Sequence, residues 1–278
     1  MDKIRQGDIV SRNSYGNDIL FVVAKILSTK KGDNIYLLKG LTVRIEADSP
    51  AQDLRKADKE MAKQNLKQLE GRLQRRKLAE SQKRREKEED KKRIRTPYVY
   101  TGKILHLDGD RRYTEKSIYY YKELGLHAIV KNVAENKQPL MVKKLLERYK
   151  PDILVITGHD ALIKGAKDYQ DVSNYRNSKY FAKTVTEARK WDIHNKLVIF
   201  AGACQSYFEL LMASGANFAS SPARVLIDFA DPLIIAEKIA TTDKFQYVTI
   251  EDLAGELRDG MKGIGGIGAK GKKELIIP

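Results

Sequence analysis

Two apolar runs that each lead to one reactive side chain place the strongest constraint on the fold. The run Ile153–Thr157 is followed by Gly158 and His159, and the run Leu197–Ala201 is followed, after two small residues, by Cys204. Apolar runs of this length, separated by helical segments, are typical of parallel strands whose sheet is covered on both faces. Because chemistry gathers at the carboxyl ends of such strands, the pattern predicts that His159 and Cys204 lie at one edge of a sheet.

From residue 97 onward, apolar runs alternate with segments of helical pattern. The prediction is an α/β region over residues 97–278, with a mostly parallel sheet and helices on both faces. Further strands are expected at 103–107, 127–133 and 247–250, helices at 113–124, 139–149, 180–193, 207–213, 231–240 and 253–258, and a glycine-rich basic loop at 263–272.

The first 52 residues have a different pattern, in which short apolar runs are separated by turn residues. Strands are expected at 8–10, 19–27, 35–39 and 41–47. Several short strands with tight turns in so few residues predict a small SH3-like β-barrel. Such barrels bind nucleic acid or peptides, or only pack against a neighbouring domain, and the sequence leaves these roles open.

Residues 53–96 form a charged segment of helical pattern, predicted to link the two regions. Between Leu54 and Arg95 there are 17 Lys and Arg against 8 Asp and Glu, so +9 of the net charge of +15 falls in 42 residues. A solvated helix or flexible linker is one interpretation. The other interpretations are a docking arm for acidic partners and a segment that is cut by a protease that prefers Arg or Lys.

The cysteine and histidine content indicates the compartment and argues against a metal. With one cysteine the chain forms no intramolecular disulfide, which fits a reducing compartment. The N-terminal residues lack the apolar region of a signal peptide, and no apolar run is long enough to span a membrane. We therefore expect a cytoplasmic protein with no membrane partner. The scattered histidines lack the spacing of a zinc site, so no metal and no cofactor are expected.

Cys204 is either a small buried hydrophobe or a nucleophile. Small residues precede it, which leaves the thiol unobstructed, and a helix is predicted just after it, whose N-terminal dipole would favour the thiolate. His159 is predicted at an equivalent strand end. A histidine beside a thiolate is the minimum equipment for acyl transfer, which is the chemistry we expect.

A different class of function is a basic nucleic-acid-binding or scaffolding protein with a structural Cys204. The glycine-rich tail, Gly263–Lys272, partly matches a phosphate-binding loop, but Lys273 replaces the required Ser or Thr and no strand precedes it. It also resembles the Gly-Ile-Gly turn of helix-hairpin-helix DNA binders. Binding of this kind would weaken steeply with salt and would survive loss of the thiol. We expect nucleic acid not to be the partner, and a mobile loop near a substrate groove is the alternative for the tail.

The order strand-His and then strand-Ala-Cys resembles the caspase, gingipain and separase clan of cysteine peptidases. Over nearly the full length, the chain also resembles the YabG family of sporulation peptidases from endospore-forming bacteria. The segments that carry this resemblance are Gly7–Val10, Ser14–Gly16, Lys39–Arg44, Leu105–Asp110, Pro151–Asp160 and Ala203–Ser206.

The resemblance implies a caspase-like fold and a peptidase that trims spore coat and cortex-associated proteins in the mother cell. Cys204 would be the nucleophile and His159 its acid/base partner. Asp160 stands where the clan usually has glycine. Its N–H, together with Gly158 in the same loop, would support the oxyanion hole. Alternatively, its carboxylate would act electrostatically on the histidine. In the alternative function, a coat-scaffolding protein, Cys204 would be structural.

Substrate preference is also carried over from the clan. Several members of the clan prefer Arg before the scissile bond, so acidic side chains are candidates for a pocket floor, namely Asp108, Asp228 and Asp231. The same preference makes the linker a candidate for self-cleavage.

Overall fold

The N-terminal region folds into a five-stranded antiparallel sheet with the strand order β4-β3-β2-β1-β5. The computed structural model describes residues 3–28, 33–90 and 98–276. The strands of this sheet are β1 (Ile9–Arg12), β2 (Leu20–Ser28), β3 (Asn34–Gly40), β4 (Glu46–Pro50) and β5 (Leu54–Lys56). Closure of this sheet into an SH3-like barrel stays a prediction.

Two details of this region differ from the sequence expectation. The prediction of a strand at 41–47 is wrong for residues 41–45, because Leu41–Ile45 leaves the sheet as a loop and β4 begins at Glu46. In addition, β5 lies inside the range predicted to be helical, since it pairs with β1 through Leu54. Both differences follow from tertiary contacts that override a local apolar pattern.

The charged segment forms one long helix, α1 (Lys59–Asp90). Its first turns pack on the rest of the chain, where Ala62 contacts the N-terminal sheet and Leu69 joins the main apolar core. The predicted helix is therefore present, while the end of the predicted linker, residues 91–96, lies outside the described residues.

The C-terminal region is built on a six-stranded sheet with the order β13-β11-β10-β9-β7-β8. All pairs are parallel except β11 with β13. Its strands are β7 (Ile104–Asp108), β8 (Ala128–Asn132), β9 (Ile153–Thr157), β10 (Val198–Ala201), β11 (Phe218–Ser220) and β13 (Ile264–Gly266). Two small antiparallel pairs flank it, β6 (Tyr98–Tyr100) with β15 (Glu274–Ile276), and β12 (Tyr247–Val248) with β14 (Ala269–Lys270).

Helices cover both faces of this sheet. The helices are α2 (Arg111–Glu123), α3 (Gln138–Tyr149), α4 (Ser178–Trp191), α5 (Phe208–Ala213), α6 (Asp231–Thr241) and the single turn α7 (Gly260–Gly263). Alternate residues of β9 supply the two cores: Val155 packs with α2 and α6, and Ile156 packs with α3, α4 and α5. This confirms the α/β prediction with a largely parallel sheet; the caspase-like assignment stays a prediction.

One apolar core joins the two regions. Phe21 and Leu38 of the N-terminal sheet belong to the same buried cluster as Val155 of the central sheet. Because apolar burial is the main favourable contribution to folding, this shared core holds the N-terminal sheet against the α/β region.

The C-terminal tail departs from its prediction. Residues 253–258 form turns instead of a helix, and the glycine-rich segment contains β13 and β14 instead of a loop. The tail thus completes the sheet edge beside β11, which is incompatible with a helix-hairpin-helix turn. Among the described helices, none is both long enough and apolar enough to cross a membrane.

Candidate active site

The carboxyl ends of three neighbouring strands deliver the candidate side chains. β9 pairs in parallel with β10 on one side and with β7 on the other. The chain therefore emerges at one edge of the sheet at His159, at Cys204 and at Asp110, as expected for parallel strands. The first two were predicted from the sequence, whereas Asp110 was not.

His159 is held by a carboxylate and an aromatic ring. Its Nε2 lies 2.9 Å from Oδ2 of Asp110, and its ring stacks on Tyr113 with centroids 5.2 Å apart. Burial opposes ionisation of Asp110, but the hydrogen bond and the charge of His159, together with Arg112, outweigh it and hold the pKa of Asp110 well below its ordinary value. Nδ1 of His159 is buried and has no hydrogen-bond partner among the described residues, so it is the ring nitrogen available for proton transfer.

The loop that carries His159 is fixed by main-chain contacts on both sides of the residue. Its N–H donates to Oε1 of Glu135 at 2.9 Å, and its carbonyl oxygen accepts from Nδ2 of Asn177 at 2.8 Å. Gly158 packs so closely on Glu135 that any side chain there would collide with the carboxylate. Gly158 thus lets Glu135 approach and hold the histidine backbone.

Cys204 is completely buried and its thiol contacts the opposite wall of the site. Its Sγ accepts a hydrogen bond from the N–H of Ile227 at 3.2 Å and donates to the Ile227 carbonyl oxygen at 3.4 Å. Burial raises the pKa of Cys204 to about 12. The helix predicted at 207–213 is present as α5 and begins at Phe208. In this closed arrangement, desolvation of the thiolate nevertheless dominates its pKa.

The carboxylate of Asp160 is committed to holding loops together. It accepts hydrogen bonds from the N–H groups of Ala161 and Asn177 and from the hydroxyls of Ser178 and Ser206. Burial raises the pKa of this carboxyl group to about 6, despite these hydrogen bonds. Ser206 belongs to the turn after Cys204, so Asp160 ties the histidine loop to the cysteine loop.

The main-chain N–H groups of Cys204 and Asp160 converge on one oxygen atom. Both donate to the carbonyl oxygen of Arg44, each at 3.2 Å. Two N–H donors aimed at one carbonyl oxygen, one of them on the candidate nucleophile, have the geometry of an oxyanion hole. The carbonyl comes from the loop between β3 and β4, in a part of the chain that the sequence did not assign to the site.

The side chain of Arg44 fills an adjoining buried pocket. Nη1 lies 2.9 Å from Oδ2 of Asp108, and Nη2 donates to the Phe229 carbonyl oxygen at 3.2 Å. The guanidinium contacts the rings of Tyr113 and Phe229, at 4.9 and 5.4 Å from their centroids, and the two rings also contact each other. Burial opposes ionisation of Asp108, but the charge of Arg44 and the contact with His106 outweigh it and lower its pKa to about 2. Asp108 therefore lies at the acidic end of the buried pocket that holds the side chain of Arg44.

The other two predicted pocket residues have a different position. Asp228 and Asp231 are buried in the turn that begins α6, where their carboxylates accept hydrogen bonds from the main-chain N–H groups of Ala230, Asp228 and Arg258. Asp228 reaches the site through its backbone, which forms an antiparallel bridge with Val43. Its segment therefore supplies a wall of the cleft.

Two residues of this site were not predicted from the sequence. Asp110 had a signal, because the segment Asp108-Gly109-Asp110 follows a predicted parallel strand and so belongs at the same sheet edge as His159. Arg44 had none, since its placement depends on how the N-terminal sheet packs on the α/β region. Among the described residues, no cluster of side chains has the composition of a metal site.

The assembled groups suit acyl transfer through a covalent intermediate. Such a reaction needs a thiol, an imidazole oriented by a carboxylate, and two N–H groups that would stabilise an oxyanion.

Comparison with known proteins agrees with this chemistry. A family model described as YabG peptidase U57 matches residues 5–278. The chain is 40% identical over 281 residues to the "Sporulation-specific protease YabG" of Bacillus subtilis (strain 168), an alignment that covers 98% of this chain and 97% of that protein. Both matches span nearly the whole chain, including the N-terminal sheet as well as the α/β region. This chain is therefore a peptidase that belongs to the YabG family.

Proposed function

We propose that this protein is a cysteine endopeptidase that processes proteins during sporulation, with Cys204 as the nucleophile and His159 as the acid/base group. The observation that carries the proposal is the convergence of the N–H groups of Cys204 and Asp160 on one carbonyl oxygen. Its substrates are spore coat and cortex-associated proteins in the cytoplasm of the mother cell, with association with the coat as a further expectation. The similarity to the sporulation-specific protease supports this setting.

The reaction proceeds in two steps. His159 accepts the thiol proton, and Sγ of Cys204 attacks the scissile carbonyl carbon, whose oxygen is held by the two N–H groups. His159 then gives the proton to the leaving amine, and water hydrolyses the thioester. Asp110 keeps the imidazole oriented and stabilises its protonated form, as the carboxylate of a catalytic triad does.

The preference for Arg before the scissile bond is the second part of the proposal. The ion pair of Arg44 with Asp108 supports it, because a planar guanidinium fits a buried carboxylate flanked by aromatic rings. Peptide profiling with matched sequences that differ only in Arg, Lys, Gln or Met at that position tests it. Cleavage of the Arg peptide should exceed that of the others by at least tenfold, and equal rates would contradict the preference.

The roles of the two principal residues can be tested with one matched control. Cys204→Ala and His159→Ala should each abolish cleavage of a coat-protein substrate. His194→Ala is the control, since His194 is exposed in a turn after α4 and its replacement should leave the rate unchanged. Residual cleavage by Cys204→Ala above the uncatalysed rate would refute the assignment of the nucleophile.

Self-cleavage within residues 54–95 is a further part of the proposal. The segment is rich in Arg and Lys, which supports it if the enzyme prefers Arg. Mass spectrometry of the purified chain should find fragments ending in this range for the wild type and not for Cys204→Ala. An intact linker in fully active enzyme would exclude this part alone.

A further inference from the structure

The loop between β3 and β4 leaves its own sheet and enters the active-site cleft. β3 and β4 remain paired up to Lys39 and Glu46, and the N–H of Gly40 donates to the Ile45 carbonyl oxygen at 2.9 Å, which closes the base of the loop. Beyond this base, Val43, Arg44 and Ile45 are all buried. A hairpin loop normally lies at the surface, so burial of its tip needs an explanation other than the connection of two strands.

The main chain of this loop is bound in an extended register on both sides of the Arg44–Ile45 peptide bond. Before the bond, the N–H of Arg44 donates to the Ile227 carbonyl oxygen at 3.2 Å, and Thr42 accepts from the N–H of Phe229 at 2.9 Å. After the bond, the N–H of Glu46 donates to the Asp160 carbonyl oxygen at 3.1 Å. Strand addition of this kind is how an extended peptide is recognised by a protein edge.

Stability alone gives a weak reason for an arginine at this position. The Arg44–Asp108 pair is fully buried, and an apolar pair of similar volume generally stabilises a fold at least as well as a buried ion pair. Tyr113 adds to the cradle, because its hydroxyl donates to the carbonyl oxygens of Gly40 and Val43 while its ring faces the guanidinium and His159. The contacts therefore select an arginine and its backbone, as a substrate site does.

We propose that the loop Leu41–Ile45 is an intramolecular substrate that closes the active site and that Cys204 of the same molecule cleaves the Arg44–Ile45 bond. This inference rests on the proposed function, because it uses the same nucleophile and the same pocket. While the loop is bound, Cys204 and His159 are fully buried and other substrates are excluded.

The reaction balances as an ordinary hydrolysis. Sγ of Cys204 bonds to the carbonyl carbon of Arg44, the bond to the Ile45 nitrogen breaks, and that nitrogen takes a proton from His159. Water then cleaves the thioester, which leaves a carboxylate on Arg44, an amino group on Ile45 and the free thiol. Two new charged groups in a dry cleft favour departure of the loop, because charges without adequate partners are poorly tolerated there.

Mass spectrometry of the full-length chain tests the cleavage directly. Freshly purified wild type should yield a fragment that ends at Arg44 and a new N-terminus at Ile45, whether or not the linker is also cut, while Cys204→Ala stays intact. Arg44→Gln should also stay intact at this bond, and Arg55→Gln, at an exposed arginine of the same sheet, should be cut like the wild type. The rate constant should not change when the protein is diluted tenfold.

A second measurement separates failure of this inference from failure of the proposed function. Cleavage of an Arg peptide added in solution is followed for wild type during its conversion and for Arg44→Gln from the start. The peptide rate of wild type should rise at least tenfold as the loop is cut, and Arg44→Gln should show no such lag.

Three outcomes overturn the inference. Peptide cleavage by wild type with an intact Arg44–Ile45 bond overturns it and leaves the proposed function standing. An apparent first-order rate constant that rises in proportion to protein concentration overturns the intramolecular step. Absence of both peptide and self-cleavage in wild type and Arg44→Gln overturns the proposed function as well. The comparison of wild type with Cys204→Ala keeps the test valid if Arg44→Gln does not fold.

Discussion

The carbonyl oxygen of Arg44 accepts a hydrogen bond from the main-chain N–H of Cys204, at an N···O distance of 3.2 Å. Arg44 belongs to a loop of the N-terminal sheet, and Cys204 follows a central strand of the α/β region. This contact joins two parts of the chain at the atoms where peptide hydrolysis would occur. It also explains why a member of a peptidase family has its thiol sealed from solvent.

Asp110→Asn should reduce kcat with little effect on KM. An amide presents an N–H where the imidazole Nε2 needs a carboxylate, so the ring would take the wrong tautomer or orientation. A loss of about 10²–10⁴-fold is expected for a disabled acid/base group. Steady-state kinetics on an Arg peptide measures it in the Arg44→Gln background, where the loop does not have to be cut first.

Arg112→Gln is the matched control for Asp110. Arg112 also contacts Oδ2 of Asp110, at 3.2 Å, but its side chain is partly exposed. We expect its replacement to change kcat by less than threefold. Equal losses in the two variants would show that Asp110 acts only through general folding of this corner.

Asp108→Asn should lower cleavage after Arg selectively. Removal of one member of a buried charge pair costs about 2–5 kcal/mol, which corresponds to about 30-fold to 4,000-fold in kcat/KM for the Arg peptide. A peptide with Met at the same position makes no ion pair and serves as the control, so its rate should stay within threefold. A parallel loss on both peptides would argue that Asp108 has a structural role only.

The stability of the folded chain should fall between about pH 4 and pH 6 because of Asp160. Burial raises its folded pKa to about 6 from an ordinary value of 3.8, so protonation of the carboxyl group favours folding below the unfolded pKa. That contribution, of the order of 3 kcal/mol, is lost as the pH rises through 6.

Asp160→Asn tests this pH dependence. The variant cannot ionise there, so urea unfolding followed at pH 4, 5, 6 and 7 should show a weaker decline than the wild type. Identical pH profiles for the two proteins would contradict the assignment of this titration to Asp160.

Gly202→Ala should destabilise the turn before Cys204. Gly202 has a φ of +111°, and an added Cβ would lie 2.5 Å from Oγ of Ser220 and 2.8 Å from Cδ1 of Leu211. The combination of backbone strain and overpacking costs about 2–4 kcal/mol. Gly255→Ala is the control, since a Cβ there meets no atom within 4 Å. Denaturant midpoints of both variants decide the matter, and equal midpoints would refute the prediction.

Much of the α/β region could be predicted because its signals are local. The strand Ile153–Thr157 was predicted with its observed bounds, and the predicted ends of helices α2, α3 and α4 lie within two residues of the observed ends. Short continuous apolar runs between helical segments are typical of buried parallel strands, and Gly125 and Pro139 mark helix ends. The tail was predicted poorly, because β13 exists only through its pairing with β11.

The sequence by itself determined that a histidine and a cysteine emerge at the same edge of a parallel sheet, because strand direction and side-chain periodicity follow from the local order of residues. Only the tertiary structure decided the partners of these residues: Asp110 on the histidine, Asp108 as the base of a pocket, and Arg44 across the thiol. Asp110 meets His159 because β7 and β9 are neighbours in one sheet, whereas the contacts of Arg44 depend on how the N-terminal sheet docks on the α/β region. Docking is set by the shape and burial of surfaces that are assembled from distant segments, and no local pattern encodes it.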